Sequence, residues 1–314
     1  MSKIVTITFS PCIDKSTSIT SLIPDKKLTC ATPILEPGGG GINVSRALKK
    51  LGVDSIAIFP SGGYTGKFFN HLMVNENIEA VIIGAFNETR ENIIILDESK
   101  NIQYRFGMPA NELMNIEWQR CLKAVQDITD VEFLIASGSL PPAVPLNIFA
   151  QLSKIAKLKN AKFIVDTAGE ALKLAIEEGV FLLKPNISEL GRLAFQEKIS
   201  IEEAKKIARE IILNEKCETM VISMGAEGAM LVTKDITQII KPPDVKRKST
   251  VGAGDSMVAG IVYYLSMGKS IIEATKFGVA CGTAATMNSG TELCKKYDAD
   301  NLYKVISNEV IETL

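Results

Sequence analysis

The sequence has few of the residues that several common kinds of catalytic site require. It contains one histidine, His71, and one tryptophan in 314 residues, and no two of its six cysteines form a CxxC pair. A single histidine cannot form a His-x-x-x-His metal pair, and scattered cysteines favour neither a zinc site nor a disulfide framework. We therefore expect reduced thiols and a surface or packing role for His71, and any proton transfer to use a carboxylate, lysine, cysteine or tyrosine.

Excess charge of one sign and long apolar runs are also missing. The formal net charge is −1, and no basic stripe stands out, so we predict no nucleic-acid partner. No stretch approaches the ~18 apolar residues of a membrane span, and the apolar N-terminal stretch is too short for a signal peptide and predicts a first strand. With 46% apolar and 23% charged residues, the composition is typical of a globular, cytoplasmic protein that binds no membrane.

From residue 131 onward, short apolar runs alternate with helical patterns. The predicted strands are Val131–Ala136, Lys162–Asp166, Phe181–Lys184 and Thr219–Ser223, followed by Ala229–Val232 and Ile236–Ile240. Helices are predicted between the first four strands and again at about 254–267, 271–287 and 299–312. This alternation predicts an α/β fold whose mostly parallel sheet has helices on both faces.

Two segments interrupt the alternation. Asp14–Leu35 contains short strand-like pieces, and Asn92–Phe106 predicts a hairpin of Ile93–Leu96 with Ile102–Tyr104. Because no helix separates these strands, we expect a small separate sheet beside the main layer, which could serve as a lid or a dimer surface. The alternative is a surface hairpin without a functional role.

Two familiar phosphate-binding patterns fail. Gly268-Lys269-Ser270 resembles the end of a P-loop, but Tyr263 occupies the position of its first glycine. The run Gly38–Gly41 lacks the third glycine of a dinucleotide fingerprint, because Asn43 stands there. These failures speak against a P-loop enzyme and against an oxidoreductase on a Rossmann sheet.

The strongest chemical motif is Ser249–Ser256, in which Gly252, Ala253 and Gly254 lead directly into an apolar helix. Small residues let backbone N–H groups approach an anion, and a helix N-terminus carries partial positive charge, so phosphate oxygens could bind there. Asp255, in the first turn, could accept a proton from an incoming hydroxyl group. The alternative is that Asp255 only caps the helix.

A second glycine-rich motif runs from Glu36 to Ala47. Its four glycines, Gly38–Gly41, precede an amphipathic helix and would let a ligand lie against bare backbone. Asn43, one turn into the helix, offers both a donor and an acceptor to hydroxyl groups. The alternative is a flexible turn.

Three further motifs follow predicted strands, where ligands bind in open α/β sheets. In Lys184–Glu189, Asn186 and Glu189 share one helix face, and Glu189 could orient water around Mg²⁺, although the two could equally be a capping pair. Ser137–Pro142 and Ser223–Gly228 are weaker glycine-containing turns.

Together these motifs resemble the PfkB family of carbohydrate kinases, with the ribokinase-like fold, over almost the whole chain. The resemblance implies a single kinase domain over residues 1–314, a three-layer αβα sandwich with a small accessory β-sheet lid formed by about residues 12–35 and 88–107. Within the family, the chain is most similar to enzymes that phosphorylate the 1-hydroxyl of fructose 6-phosphate with ATP. Tagatose-6-phosphate kinase and 1-phosphofructokinase remain alternatives, since one scaffold serves all three. A catalytically silent sensor is disfavoured, because Asp255 and Glu189 are both present.

The resemblance also implies roles for individual residues. Asp255 would be the base, and Gly252, Ala253 and Gly254 the anion hole for the phosphoryl group. The residues implied around the sugar phosphate are Asp14, Lys27, Gly39, Gly40, Asn43, Arg90 and Ser139, with Arg46 and Arg105 as further candidate cations. Those implied around ATP are Lys184, Asn186, Ser223, Gly225, Gly228, Thr250 and Asn288.

Metal ions and a second copy of the chain complete these expectations. Glu189 would act on Mg²⁺ through water. A monovalent cation such as K⁺ would be held by Ser249, Val251, Ala285, Asn288 and Gly290, although Glu292 stands where the resemblance predicts arginine. The two helix-free segments predict a homodimer in which the accessory sheets of two chains pair edge to edge.

Overall fold

A computed structural model describes residues 3–308, and within that range the chain forms two β-sheets. The main sheet of the described residues has nine strands in the order β13-β12-β11-β10-β9-β8-β1-β4-β5. All neighbouring strands are parallel except β12 and β13, which continue the sheet antiparallel. Its strands are β1 Lys3–Ile7, β4 Ile56–Gly62, β5 Glu79–Ala85, β8 Val131–Ser137, β9 Lys162–Asp166, β10 Val180–Leu183, β11 Cys217–Ser223, β12 Ala229–Val232 and β13 Thr237–Ile240.

Helices cover both faces of this sheet. They are α1 Gly40–Leu51, α2 Gly63–Asn75, α3 Asn115–Asp127, α4 Ile148–Leu158, α5 Gly169–Glu178, α6 Ile187–Leu193, α7 Ile201–Leu213, α8 Ala253–Ser266, α9 Ile271–Thr286 and α10 Lys296–Asn308. Apolar residues of α3 to α7 pack on one face, and those of α1, α2 and α8 to α10 on the other. The central strands are therefore buried on both sides, which explains their nearly continuous apolar sequence.

The accessory sheet contains β2 Cys12–Ile19, β3 Ile34–Gly38, β6 Arg90–Asp97 and β7 Ile102–Phe106, in the order β3-β2-β6-β7. Its central pair is parallel, and the two outer pairs are antiparallel. Residues alternate between its faces, so Asp14 and Asn92 share the face toward the main sheet, and Ile93 and Phe106 share the outer face.

The predicted three-layer fold with an accessory sheet is confirmed, and several element bounds match closely. Strand β3 extends to Gly38, three residues beyond the predicted lid segment. Helix α10 begins at Lys296 rather than near residue 299, and its predicted end at 312 lies outside the described residues. Ser270, the last residue of the failed P-loop pattern, caps α9 with Glu273. His71 lies on α2 and stacks on Phe68, as expected for a surface or packing residue.

Two features of residues 3–308 concern membrane spans and cysteine chemistry. None of the described helices is long and apolar enough to cross a membrane. All six cysteines fall in this range and are free thiols, five of them buried.

Candidate active site

A cleft opens at the carboxyl ends of β8 and β9, beside the first turns of α1, α6 and α8. It encloses about 470 Å³ and is lined in part by Gly40, Ser139, Asp166, Glu189 and Asp255. Four of the predicted site residues therefore meet in one concave space, at the edge where parallel sheets bind ligands.

Asp255 reaches this cleft from the first turn of α8. The cap residue of α8 is Gly252, whose left-handed φ of 71° lets the chain turn sharply into the helix. Asp255 is thus not a helix cap. One of its oxygens, Oδ2, accepts a hydrogen bond of 2.9 Å from Asn43 Nδ2, which ties the carboxylate directly to α1.

The environment of Asp255 disfavours its charged form. Burial, followed by the nearby carboxylate of Asp166, raises the pKa of Asp255 from 3.8 to about 7, although Asn43 and Lys184 oppose the shift. A carboxylate whose pKa lies near neutrality can take and release a proton at physiological pH. Asp255 therefore combines a pKa near neutrality with a position in the lining of the cleft.

Lys184 brings a positive charge beneath the α8 N-terminus. Its buried Nζ lies 3.3 Å from Asp166 Oδ1, and a Cβ added to Gly254 would lie 3.2 Å from the same nitrogen. Burial alone would lower the pKa of Lys184, but the carboxylates of Asp166 and Asp255 raise it, so the ammonium group stays charged. Together with the first N–H groups of α8, it forms a site suited to an anion.

Asp166 was missed by the sequence reasoning. It is the last residue of β9, and a carboxylate at the carboxyl end of a parallel strand is a signal that could have identified it.

The glycines before α1 are part of an ordered, close-packed junction and not of a flexible turn. A Cβ added to Gly40 would lie 2.2 Å from Ser137 Oγ and 2.8 Å from the Gly138 nitrogen. Only glycine lets the helix start approach the β8 turn this closely. Asn43 differs from the expectation in one respect: its donor is used by Asp255, while its Oδ1 is buried without a hydrogen-bond partner among residues 3–308.

The accessory sheet supplies a second polar wall. Asp14 Oδ1 accepts hydrogen bonds from Asn92 Nδ2 at 2.9 Å and from Cys12 Sγ at 3.4 Å, and burial raises the pKa of Asp14. Arg90 donates to the backbone oxygens of Met108 and Ser10, at 3.0 and 3.3 Å, whereas its buried Nε has no acceptor among the described residues. Arg90 thus offers a held guanidinium group with a free donor.

Two other predicted cations lie elsewhere. Lys27 is exposed in the irregular segment between β2 and β3, and in a single chain the structure does not bring it to the cleft. Arg46 is buried, and its guanidinium group is already paired with Glu36 and Glu76, so it is not available to bind a phosphate.

A second cleft, of about 320 Å³, lies on the other side of the α8 N-terminus. Of the residues predicted for ATP, Ser223, Gly225, Gly228 and Thr250 line it, together with Ala253 and Gly254. The other three do not line it: Lys184 lies under Gly254, Asn186 caps α6, and Asn288 is buried and donates to the Leu293 oxygen at 3.0 Å. Sequence reasoning missed the segment Pro242–Val245 and Arg247, which close the cleft opposite α9.

Glu189 has a structural role and still reaches the cleft. Asn186 and Glu189 form a reciprocal capping box, with hydrogen bonds of 2.8 and 2.9 Å between each side chain and the other residue's N–H group. The capping alternative is therefore realised, yet Glu189 also lines the cleft with Asp166 and Asp255. No group of three or more histidine, cysteine, aspartate or glutamate side chains in residues 3–308 is arranged to hold a metal alone.

The segments predicted for a monovalent cation lie side by side. Ser249 Oγ donates to the Gly290 oxygen at 2.7 Å and accepts from the Val251 N–H group at 3.2 Å. The Ala285 oxygen accepts from the Asn288 N–H group at 3.1 Å, at the end of α9. Glu292, which departs from the expected pattern, pairs with Lys295 at 3.2 Å.

Strand β7 of the accessory sheet touches the loop before α8. Arg105 donates to Thr250 Oγ1 at 2.7 Å, and Gln103 contacts Ser249 Oγ at 3.4 Å. The accessory sheet is therefore in direct contact with the turn that presents Gly252–Asp255.

Comparisons with known proteins agree with this geometry. The model for pfkB family carbohydrate kinases matches residues 5–297. The chain is 40% identical over 308 residues to ATP-dependent 6-phosphofructokinase isozyme 2 of Escherichia coli (strain K12), covering 98% of this chain and 100% of that protein. It is 30% identical over 293 residues to 1-phosphofructokinase of Bacillus subtilis (strain 168), covering 92% and 95%.

Solved structures show the same fold. The crystal structure of phosphofructokinase-2 from Escherichia coli in complex with potassium matches with a TM-score of 0.93 at 40% identity. The complex of that enzyme with fructose-6-phosphate matches with a TM-score of 0.92 at 38% identity. Both alignments cover 98% of this chain and 100% of the other. The family resemblance and the fold expected from the sequence are confirmed.

Proposed function

The chain belongs to the pfkB family of carbohydrate kinases, and from that premise we propose that it transfers a phosphoryl group from ATP to the 1-hydroxyl of fructose 6-phosphate, giving fructose 1,6-bisphosphate and ADP. The observation that carries the proposal is the position of Asp255. Its carboxylate stands in a cleft beside the open N-terminus of α8, with a pKa raised to about 7.

Asp255 accepts the proton of the attacking hydroxyl group. Asn43 holds Oδ2 of this carboxylate, which leaves Oδ1 to face the sugar. As the hydroxyl loses its proton, its oxygen becomes a better nucleophile, and in-line attack then requires mainly positioning and charge neutralisation. Asp255 returns the proton to solvent when the product leaves.

The N–H groups at the start of α8 and the ammonium group of Lys184 stabilise the moving phosphoryl group. They lie on either side of Gly254, whose lack of a side chain leaves the backbone open to an anion. Because these donors are already in place, they need no reorganisation as negative charge develops. The second cleft, lined by Ser223, Gly225, Gly228 and Thr250, has room for the nucleotide.

The donors of the cleft suit Mg²⁺ held mainly by phosphate and water. Glu189 and Asp166 supply hard oxygen atoms beside Asp255, but no three-carboxylate cage is present in the described residues. Mg²⁺ keeps several water ligands and binds few protein groups directly, so two carboxylates acting through water fit it. When bound, the ion neutralises negative charge on the nucleotide phosphates.

We also propose a monovalent cation site formed by Ser249, Val251, Ala285, Asn288 and Gly290. Its support is the adjacency of the 249–251 and 285–290 segments and the number of backbone oxygens there. A bound K⁺ would stabilise the loop that leads to Gly252.

The sugar phosphate would lie between the main sheet and the accessory sheet. Asp14 and the unpartnered Oδ1 of Asn43 suit sugar hydroxyl groups, and Arg90 suits the 6-phosphate. Half-buried Gly39 and Gly40 and exposed Ser139 would contact the ligand through small surfaces, and Lys27 stays a prediction for a phosphate. Tagatose 6-phosphate and fructose 1-phosphate are the alternative substrates, because one hydroxyl or one phosphate position separates them from fructose 6-phosphate.

The outer face of the accessory sheet supports a homodimer. Ile93, Ile95, Tyr104 and Phe106 project from this face and are at least partly exposed in the single chain. A patch of this kind favours burial against a second copy, and a two-fold axis would bring the two accessory sheets together. The edge-to-edge pairing of their strands stays a prediction. We further propose that residues 1–314 form one kinase domain with lid segments near 12–35 and 88–107, and that it works in the cytoplasm, where ATP and reduced thiols occur together.

An ADP-release assay over a panel of acceptors tests the proposed reaction. Fructose 6-phosphate, tagatose 6-phosphate, fructose 1-phosphate and ribose are compared at equal concentration with ATP and Mg²⁺. We expect the highest kcat/KM for fructose 6-phosphate. A higher value for fructose 1-phosphate or tagatose 6-phosphate would reassign the substrate, and no sugar-dependent ADP release with any of the four would refute the proposal.

A further inference from the structure

A polar contact between Glu36 and Thr291 joins the accessory sheet, where the sugar phosphate is proposed to bind, to the loop after α9. Glu36, in β3, receives a hydrogen bond from Thr291 Oγ1 through Oε2 and from Arg46 NH2 through Oε1, the latter at 2.6 Å. Thr291 is 1% exposed, and Arg46 is 2% exposed. Water hardly reaches Thr291 and Arg46, while the Glu36 side chain between them is 16% exposed, so losing one partner would leave a poorly solvated polar atom behind.

On one side, this contact belongs to the part of the accessory sheet that contains Asp14, which we call the sugar wall. Glu36 pairs in register with Asp14 of β2, and the next residue, Pro37, leads into the glycine run before α1. Arg46 NH1 also donates to the Pro37 oxygen at 3.0 Å. One arginine therefore holds both Glu36 and the backbone that begins the glycine run.

On its other side, the contact belongs to the loop after α9. Thr291 follows Gly290, whose oxygen accepts from Ser249 Oγ at 2.7 Å, and Ser249 begins the segment that ends at Asp255. Gly290 also lies against Ser16 of β2, since a Cβ added to it would lie 3.2 Å from Ser16 Oγ. The chain of contacts thus runs from β3 through Glu36, Thr291 and Gly290 to the start of the catalytic segment.

We propose that Glu36 and Arg46 are positioning residues, which couple the sugar wall to the nucleotide and cation loops through Thr291. The kinetic effects expected from this inference rest on the proposed function. Neither residue is placed against a reacting atom. Their role is to hold Asp14 and Gly290 at a fixed separation, because both walls must keep their geometry for in-line transfer.

The test compares Thr291→Val with Thr291→Ser. Valine keeps the shape and removes the hydroxyl, whereas serine keeps the hydroxyl. We expect Thr291→Val to lower kcat/KM for the sugar phosphate and for ATP by about tenfold, the loss of one hydrogen bond to a charged group, and Thr291→Ser to restore most of it. Calorimetric titration with ATP and Mg²⁺, without sugar, should show weaker binding by a similar factor for the valine variant.

A matched control separates positioning from general stability. Thr275 is as buried as Thr291, and its hydroxyl donates within α9 to the Ile271 oxygen at 2.7 Å. Thr275→Val should lower the unfolding temperature as Thr291→Val does but leave kcat/KM for the sugar phosphate and for ATP unchanged. If the two variants lose activity only in proportion to their unfolded fraction, the contact between Glu36 and Thr291 has no positioning role.

A double-mutant cycle adds a second criterion. Glu36→Gln should produce the same kinetic pattern, and the double variant with Thr291→Val should lose hardly more than Glu36→Gln alone, because the charged partner of Thr291 is already gone in that variant. Additive losses would overturn the proposal. If the wild type phosphorylates none of the tested sugars, the proposed function fails. The ATP titrations still decide whether the Glu36–Thr291 contact acts on the segment that begins at Ser249.

Discussion

Replacing Asp166 with asparagine should move the acidic limb of the pH–rate profile. Among neighbouring charges, Asp166 contributes most to raising the pKa of Asp255, and it also pairs with Lys184, which interacts with Asp255 as well. Removing its charge lowers the cost of ionising Asp255 and frees Lys184 from its 3.3 Å ion pair, which strengthens the interaction of Lys184 with Asp255. Both changes lower the pKa of the proposed base.

The size of the effect follows from the shift itself. The pKa of Asp255 rises from 3.8 to about 7, which corresponds to about 4 kcal/mol against the charged form. Burial is the largest cause and persists in the variant, so we assign about one unit to Asp166, as for a neighbouring like charge. At pH 6 the ionised fraction of Asp255 would then rise from about one-tenth to about one-half.

The assay is kcat/KM for the sugar phosphate between pH 5 and 9. Below its pKa Asp255 is protonated and cannot accept a proton, so the wild-type value should fall about tenfold per unit below pH 7. The substrate phosphate also titrates, with a pKa near ~6, but equally for every variant. Glu170→Gln removes another carboxylate from the same cleft and should leave the limb unmoved.

If Asp166→Asn and wild type show the same acidic limb, Asp166 does not control the base. A limb that moves to higher pH would contradict the electrostatic reasoning as well, because removal of a negative charge cannot raise the pKa of a neighbouring carboxyl by this route.

Three further predictions concern the walls of the site and the outer face of the accessory sheet. Arg90→Ala should raise KM for the sugar phosphate and leave KM for ATP nearly unchanged, and the reverse pattern in initial-rate kinetics would assign Arg90 to the nucleotide. Gly40→Ala should lower turnover strongly, because its Cβ would meet Ser137 at 2.2 Å, whereas Gly84→Ala, which has open space, should be active. Ile93→Asp should convert a dimer to monomer in sedimentation velocity, and a wild type that is monomeric at micromolar concentration would exclude the dimer.

Much of the fold could be predicted from the sequence because local signals agree with the tertiary structure. Strands β9 and β12 were predicted at their observed bounds, since short apolar runs mark them. The extension of β3 to Gly38 was missed, because a run of proline and glycine residues carries no strand signal. Its pairing with β2 supplies the hydrogen bonds that its own composition does not predict.

The proposed catalytic centre was easier to predict from the sequence than the residues that surround it. Asp255 and its glycines form one continuous motif, so their chemistry could be inferred from neighbours in sequence. The roles of Asp166 and of the Glu36–Thr291 contact depend on residues far apart in the chain, which only the fold brings together. Arg46 was considered as a phosphate ligand, since sequence does not show that two glutamates already neutralise it.

The most direct test of the account is the turnover number of Asp255→Asn at pH 8. Asparagine keeps the shape and the contact with Asn43 but cannot accept a proton, so kcat should fall by between about a hundredfold and ten-thousandfold. The unfolding temperature should be unchanged or higher. A carboxylate whose folded pKa is raised destabilises the fold at pH values above that pKa, and asparagine removes this cost. Near-normal turnover of the folded variant would contradict the assignment of Asp255 as the base.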